Sequence, residues 1–178
     1  MGTYAIDPQT LSIGLLVVRV VIGFIMAAHG AQKLLGWWGG YGLRGTGQFF
    51  EQLGFQPGPA FAAAASVSEI VSGLLVAFGF LGPIGPALMI SVMIVATMTV
   101  HWEHGLFAAN NGMELPLLYG AVAFGLALTG FGEYSVDALL GFAGRWSASF
   151  TWIVLVLGAA GGFLNLALRR RPAVTAGA

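Results

Sequence analysis

The chain has 178 residues, of which 57% are hydrophobic and 8% are charged, and its formal net charge is zero. Soluble domains carry about a quarter of charged residues, so this composition excludes an ordinary soluble fold and indicates an integral membrane protein. A neutral chain offers no basic surface for nucleic acid. The absence of cysteine excludes disulfides, thiolate nucleophiles and thiolate metal ligands from this chain.

Five apolar segments are candidates for membrane-spanning helices. They run approximately over residues 11–32, 60–82, 84–100, 115–131 and 151–168. A helix needs about 20 residues to cross the hydrocarbon, with a range of about 17 to 25, so the last three are short. The first segment lacks a basic region before it, so we interpret it as a retained span rather than a signal peptide.

Two charges lie inside the first two segments, Arg19 in one and Glu69 in the other. A charge at the centre of a bilayer costs about 2.5 to 3.5 kcal/mol on insertion scales, so it persists when it is paired, hydrated or functional. Counting residues along the two helices puts these side chains within about 6 Å in depth. The sequence therefore predicts an ion pair between them. The pair is either functional or a purely structural salt bridge that only fixes the helix register.

The connection after the first segment is rich in glycine and aromatic residues, with Trp37 and Trp38 near its centre. Tryptophan prefers the headgroup region, so a membrane-anchoring belt is one interpretation. A lid over an aromatic or isoprenoid ligand is the other. Residues 46–56 then predict a short amphipathic helix on the membrane surface, ended by Pro57-Gly58-Pro59. This helix is placed to cover the same aromatic or isoprenoid ligand site.

The first and third connections lie on one membrane face by parity, and most polar residues gather there. His29 and Lys33 are one turn apart near the end of the first segment, His101 ends the third, and Glu114 begins the fourth. Each alone has an ordinary interfacial role, such as a lysine that reaches the headgroups. Together with Glu69 they converge on one half of the bundle, which predicts a functional site.

Metal and haem sites are the alternatives for the histidines. His101 and His104 are one turn apart, and Glu114 follows after a ten-residue loop, so the three offer zinc or iron ligands. His29 and His101 offer a haem ligand pair. Neither set has the spacing of an established motif, so we predict neither metal nor haem.

Basic residues outside the spans predict the orientation. Lys33, Arg44 and residues 169–171 fall on one face, and only Arg145 falls on the other. Because basic residues flank spans on the cytoplasmic side, we expect the N-terminus outside and the C-terminus in the cytoplasm.

The order and spacing of several motifs resemble the DoxX family of small bacterial membrane proteins. The matching stretches are residues 19–23, 29–34, Gly36-Trp37, Glu69 with Gly73 and Gly79, His101, residues 105–107, residues 111–114 and residues 132–137. The resemblance covers residues 11–138 and implies an all-α membrane protein of the bacterial inner membrane, with a four-helix transmembrane bundle core. Residues 139–178 add a fifth C-terminal transmembrane helix and a basic tail, a departure from the usual four spans.

The resemblance also implies a redox role. A related membrane subunit acts in archaeal thiosulfate:quinone oxidoreductase, and some members are linked with redox stress and with enzymes that handle thiols. We therefore expect a quinone-linked redox subunit in the lipid bilayer, with quinone as its cofactor and a soluble redox or thiol-handling protein as its partner. The candidate catalytic residues are Glu69, His29, His101 and Glu114, and the candidate quinone-binding residues are Arg19, Lys33, Trp37 and Trp38.

Two other functions are compatible with the sequence. One is a non-catalytic membrane anchor or assembly factor whose cytoplasmic connections bind a soluble partner enzyme. The other is a small-solute or proton transporter, which the sequence favours less because it shows no inverted repeat and no paired broken helices.

Overall fold

The computed structural model describes residues 6–170, and the regular secondary structure in that range is helical. No strand occurs in that range, so the prediction of an all-α membrane protein is confirmed. Arg171 and the rest of the predicted basic tail lie outside it. The helices are α1 (Pro8–Leu35), α2 (Gly42–Gln52), α3 (Gly58–Phe78), α4 (Ile84–Ala96), α5 (Glu114–Thr129), α6 (Val136–Leu139) and α7 (Ala148–Ala167).

Four helices are long and apolar enough to cross a membrane. They are α1, α3, α7 and the continuous stretch Ile84–His104, in which α4 is extended by a π-helical turn and a 3-10 turn. Helix α5 is apolar but has only 16 residues. Its length of about 24 Å is less than the hydrocarbon thickness of about 30 Å. Four of the five predicted spans thus have the length to cross a membrane, and the fifth, over residues 115–131, is not clearly shown.

Local signals set the ends of α1 and α2. Asp7 caps α1 by accepting a hydrogen bond from the Thr10 amide at 2.8 Å, and Pro8 occupies the first turn. Gly36 ends α1 with a positive φ of 75°. Helix α2 is shifted by four residues towards the N-terminus relative to the predicted amphipathic helix over 46–56. It ends earlier because the chain turns at Gly54, which has φ of 93°.

Helices α1, α3, α4 and α5 surround one apolar core. Its buried members are Met26, Val76, Met89, Met93, Tyr119, Ala123, Leu126 and Phe131. Helix α7 packs outside this group against α4, where Gly158 adjoins the Ala87 backbone and Gly162 adjoins the Ser91 carbonyl. Glycine lets helix backbones approach closely in a bilayer, where lipid tails leave little hydrophobic force between helices. In the described part, four helices thus surround the core and α7 lies beside them.

The two ends of the bundle differ in construction. We call one the roof end; it carries α2, the loop over residues 105–113 and the last turn of α7. The other is the turn end; it carries the start of α1, the turn over residues 79–83 and residues 130–147. At the roof end, the Arg170 amide donates to the Gly54 carbonyl at 2.8 Å, and the Arg169 side chain donates to the Leu53 carbonyl. The end of α7 is thereby tied to the segment that follows α2.

Asp137 holds the turn end together. Its carboxylate accepts hydrogen bonds from the amides of Leu81 at 2.9 Å and Gly82 at 2.7 Å, and from the indole nitrogen of Trp146 at 2.9 Å. The side chain is 2% exposed. A buried carboxylate with three donors is a strong local restraint. It joins the turn between α3 and α4 to the segment that leads into α7.

Candidate functional site

The buried ion pair of the bundle joins Lys33 of α1 to Glu69 of α3. Lys33 Nζ donates to Glu69 Oε1; the lysine side chain is 33% exposed and the glutamate side chain 3% exposed. Helical side chains lean towards the helix N-terminus, so Lys33 extends back along α1 to the level of Glu69. Lys33 is thus the partner of the buried carboxylate.

The predicted pairing of Arg19 with Glu69 is wrong. Arg19 donates to the carbonyls of Ala77 and Tyr134 at the turn end. Ala77 lies eight residues after Glu69 on α3, which separates the two levels by about 12 Å. The close packing of α1 on α3 sets this register, and residue counting from estimated span boundaries missed it. Arg19 serves instead as a cap for the last turn of α3, where carbonyl groups lack helical partners.

A cavity of about 720 Å³ lies at the roof end between α2, α3, α4 and the last turns of α7. Its volume is within the usual range for a small-molecule site, about 300–1,000 Å³. Most of the wall is apolar. The polar side chains that line it are Gln32, Lys33, Tyr41, Thr46, Gln48, Gln52, Ser68, Glu69, Ser91, Thr99, His101 and Asn165. The cavity therefore combines an apolar wall with one ion pair and one histidine.

Glu69 has a second oxygen without a hydrogen-bond partner. Oε1 receives Lys33, but Oε2 is buried and has no partner among the described residues. A buried polar atom without a partner costs about 1–3 kcal/mol, more when it is charged, so native proteins rarely keep one without a reason. Because Glu69 also lines the cavity, its carboxylate is the candidate acceptor for a ligand donor.

His101 is held at the cavity wall by a hydrogen bond to the loop. Its Nδ1 lies 2.7 Å from the Asn111 carbonyl oxygen. A carbonyl only accepts, so Nδ1 carries a proton and Nε2 is an acceptor when the ring is neutral. The π-helical turn Thr97–His101 brings the ring to this position at the end of the α4 stretch. Such turns inside helices occur frequently at functional sites.

The other predicted site residues lie outside the cavity lining. His29 is exposed on α1 and has its ring edge-on to Tyr119, with centroids 6.3 Å apart. Glu114 accepts a hydrogen bond from the Ala108 amide at 2.8 Å and so braces the loop over residues 105–113. Trp37 and Trp38 are 55% and 67% exposed and pack edge to face on each other. The cavity thus brings together Lys33, Glu69 and His101 from the predicted set.

His101 and His104 do not form a metal-binding cluster. His104 Nδ1 bonds the Val100 carbonyl at 2.9 Å, while Nδ1 of His101 bonds that of Asn111. Among residues 6–170, no group of three or more histidine, aspartate or glutamate side chains is close enough to hold a metal ion.

Several cavity residues were not singled out from the sequence. Ser91 and Thr99 lie on one stripe of the α4 stretch together with Leu88, Val92 and Val95. These positions recur every three or four residues along the helix. The other faces of the helix are apolar as well, so this periodicity alone does not show which face lines a cavity. Asn165 was a clearer signal, since a polar amide inside an apolar span points to the protein interior.

Comparison with known proteins gives one family match. A family model described as DoxX matches residues 14–102, which is half of the 178-residue chain. The matched range contains Lys33, Glu69 and His101 and ends before α5. No curated protein and no solved structure matches the chain.

Proposed function

This chain belongs to the DoxX family of membrane proteins, and we propose that it is a quinone-linked redox subunit of a membrane oxidoreductase system. The quinone ring would occupy the cavity at the roof end, and its isoprenoid tail would leave between the helices. Apolar walls with a few convergent polar groups are the usual construction of such a site.

One observation carries this proposal. Glu69 Oε2 is a buried oxygen without a partner, and it belongs to an ion pair on the wall of a cavity of about 720 Å³. A structural salt bridge alone would be more stable with every polar atom satisfied. A ligand that brings a hydroxyl donor to this carboxylate, as a quinol does, would remove the unsatisfied oxygen.

The three polar residues have distinct roles in the proposed site. The Lys33 ammonium has three donors and the lysine side chain is one third exposed, so Lys33 is able to donate to a ring carbonyl while it stays bound to Glu69. Glu69 accepts from a ring hydroxyl and is placed to pass protons. His101 orients the ring through Nε2, because Nδ1 is occupied by the Asn111 carbonyl. When bound, a quinone supplies the capacity to take up two electrons and two protons and so become a quinol.

The electrons must come from another protein. The chain has no cysteine, and the proposed donor is a soluble redox or thiol-handling partner in which two thiols become a disulfide, releasing two electrons and two protons. These balance the reduction of one quinone. The partner would approach the roof end, where Trp102, Leu106 and Phe107 are 57%, 50% and 65% exposed.

We also propose the topology in the membrane. Helix α5 crosses the bilayer despite its length, because its first residue bonds the loop at the roof end and residues 132 and 133 adjoin Ser12 at the turn end. Lys33, Arg44, Arg169 and Arg170 belong to the roof end and Arg145 to the turn end. The roof end would then face the cytoplasm and the turn end the outside of the bacterial inner membrane.

Mass spectrometry of lipids that co-purify with the full chain in mild detergent tests the redox proposal. We expect wild type to retain a quinone and Glu69→Gln to lose most of it. Ala65→Phe should also lose it, because Ala65 lines the cavity and is separate from the ion pair. Val67→Phe is the matched control, since Val67 lies on the same helix, is 48% exposed and does not line the cavity.

The same experiment separates the redox role from that of an anchor. If well-folded wild type neither retains quinone nor gains thermal stability from added quinone, the redox proposal fails. The chain would then be a non-catalytic anchor or assembly factor. In that case, exchanges in residues 102–111 should abolish capture of the soluble partner while Glu69→Gln leaves capture intact.

A further inference from the structure

A second cavity lies at the opposite end of the bundle from the proposed quinone site. It has a volume of about 570 Å³ and is formed by α1, the end of α3 and residues 133–139. The residues that line it include the basic Arg19, the acidic Glu133 and the aromatic Phe24 and Phe78. No part of the proposed redox function uses these residues.

Arg19 carries a charge that the described protein leaves without an anion. The side chain is 2% exposed and donates to two backbone carbonyls, those of Ala77 and Tyr134. Its Nε is buried and has no hydrogen-bond partner. Within residues 6–170 the one ion pair is that of Lys33 with Glu69, so the direct partners of the guanidinium are carbonyl groups and not a carboxylate. A buried cation at the wall of a cavity favours an anionic ligand.

The surroundings of Arg19 match the two halves of a phospholipid. Arg19 lies level with the last turn of α3, where the bundle meets the turn at residues 79–83. Phe24 lies five residues deeper on α1, and its ring packs edge to face on Phe78 with centroids 5.9 Å apart. Both rings are about half exposed, which gives an acyl chain an apolar surface below the headgroup. Arginine is well suited to phosphate because its planar fork of donors binds two oxygens.

Glu133 narrows the choice of headgroup. It is an exposed acidic residue that lines the same cavity, so it disfavours a headgroup with net negative charge. A headgroup that places a protonated amine beside its phosphate would satisfy both charges. We propose that this cavity binds one phosphatidylethanolamine molecule, with the phosphate at Arg19, the ammonium at Glu133 and an acyl chain along Phe24 and Phe78.

Native mass spectrometry of the full chain in detergent tests this proposal. Delipidated protein is offered phosphatidylethanolamine, phosphatidylglycerol and phosphatidylcholine at equal concentrations. An exposed charge pair changes an equilibrium by roughly two- to fivefold, so wild type should retain the ethanolamine lipid over the glycerol lipid by about that factor. The choline lipid should also bind less, because its quaternary ammonium has no N–H to donate.

Two pairs of variants locate the effect. Glu133→Gln should abolish the preference for the ethanolamine lipid over the glycerol lipid, whereas Glu103→Gln, at the roof end, should retain it. Arg19→Gln should lose retention of both lipids, whereas Arg145→Gln should not; Arg145 is exposed and stacks on Phe142 outside the cavity lining. If Arg19→Gln does not fold, the Glu133 pair decides alone.

Three results would overturn the proposal. The first is equal retention of all three lipids by wild type. The second is an ethanolamine preference that Glu133→Gln leaves unchanged. The third is displacement of the lipid by soluble phosphoethanolamine at equal concentration, which would show that the cavity selects a free headgroup and that the apolar wall contributes nothing.

Discussion

Gly23 of α1 and Gly73 of α3 face each other in near contact. A Cβ built on Gly23 would lie 2.5 Å from the Gly73 carbonyl oxygen, and one built on Gly73 would lie 2.5 Å from the Gly23 oxygen. This contact fixes how far α1 is shifted along α3. In that register, Lys33 reaches Glu69 and Arg19 reaches the end of α3. The two glycines therefore determine which charged side chain meets the buried carboxylate.

The first prediction concerns this contact. Gly73→Ala should lower the free energy of unfolding by about 1–3 kcal/mol, because the new methyl group meets backbone atoms that cannot move away singly. Gly125→Ala on α5 is the control, since a Cβ there has no neighbour within 4 Å. It should be neutral or slightly stabilising through helix propensity. Thermal unfolding in detergent measures both, and equal losses would contradict the close packing of α1 on α3.

The second prediction concerns the coupling of charged residues. Lys33→Met and Glu69→Gln should each destabilise the protein by about 1–3 kcal/mol, because each leaves a partner unpaired. The double variant should lose less free energy of unfolding than the two single variants lose together, and the difference should be about 0.5–3 kcal/mol. The cycle of Arg19→Gln with Glu69→Gln should be additive within about 0.5 kcal/mol, since these residues share no partner. If Arg19 and Glu69 were coupled and Lys33 and Glu69 were not, the ion pair would be the one predicted from the sequence, between Arg19 and Glu69.

The third prediction concerns the turn end. Asp137→Asn turns one acceptor oxygen into a donor group facing amides that themselves donate, so at least one of the three hydrogen bonds is lost. A hydrogen bond to a charged group contributes about 1.5–3 kcal/mol. Hydrogen exchange of the peptide containing Leu81 and Gly82 should accelerate. Peptides from α2 should exchange unchanged, and uniform acceleration would mean that Asp137 stabilises the whole bundle rather than this turn.

The fourth prediction concerns pH at the start of α1. Hydrogen bonds from the Thr10 amide and hydroxyl lower the pKa of Asp7 below its usual 3.8. A depressed carboxyl pKa stabilises the folded cap above pH 3.8, and that contribution is lost as the pH falls through the lowered value. Protection of the Thr10 amide from exchange should therefore decline below pH 3.8. In Asp7→Asn, which caps without titrating, protection at this amide should not follow the same pH dependence.

The sequence was sufficient for the fold class because composition and apolar segments are local properties. The apolar segment over residues 11–32 predicted α1 to within three residues at each end, and the amphipathic pattern after Arg44 predicted α2 to within four residues. The resemblance to the DoxX family, predicted over residues 11–138, agrees with the family match over residues 14–102.

The site was harder to predict because it depends on register and on which helix faces which. Glu69 and Lys33 were both selected as site residues, but their pairing follows from the contact of Gly23 with Gly73. His29 and His101 looked equivalent in sequence. They differ because the π-helical turn brings His101 to the cavity wall, whereas His29 faces outward beside Tyr119. Nothing in the sequence around Asp137 indicated that its carboxylate accepts three hydrogen bonds. Two of the donors lie in a turn 55 and 56 residues earlier in the chain.

The tie between Arg170 and Gly54 has a consequence for biosynthesis. The two residues are bonded in the folded chain, yet the ribosome makes the second more than a hundred residues after the first. Helix α2 can fold on α1 and α3 early, but its last restraint arrives only with the final helix, and the cavity gains Asn165 at the same moment. The wall of the cavity is therefore completed only after α7 has been made, and a nascent chain still lacking α7 has a more open cavity.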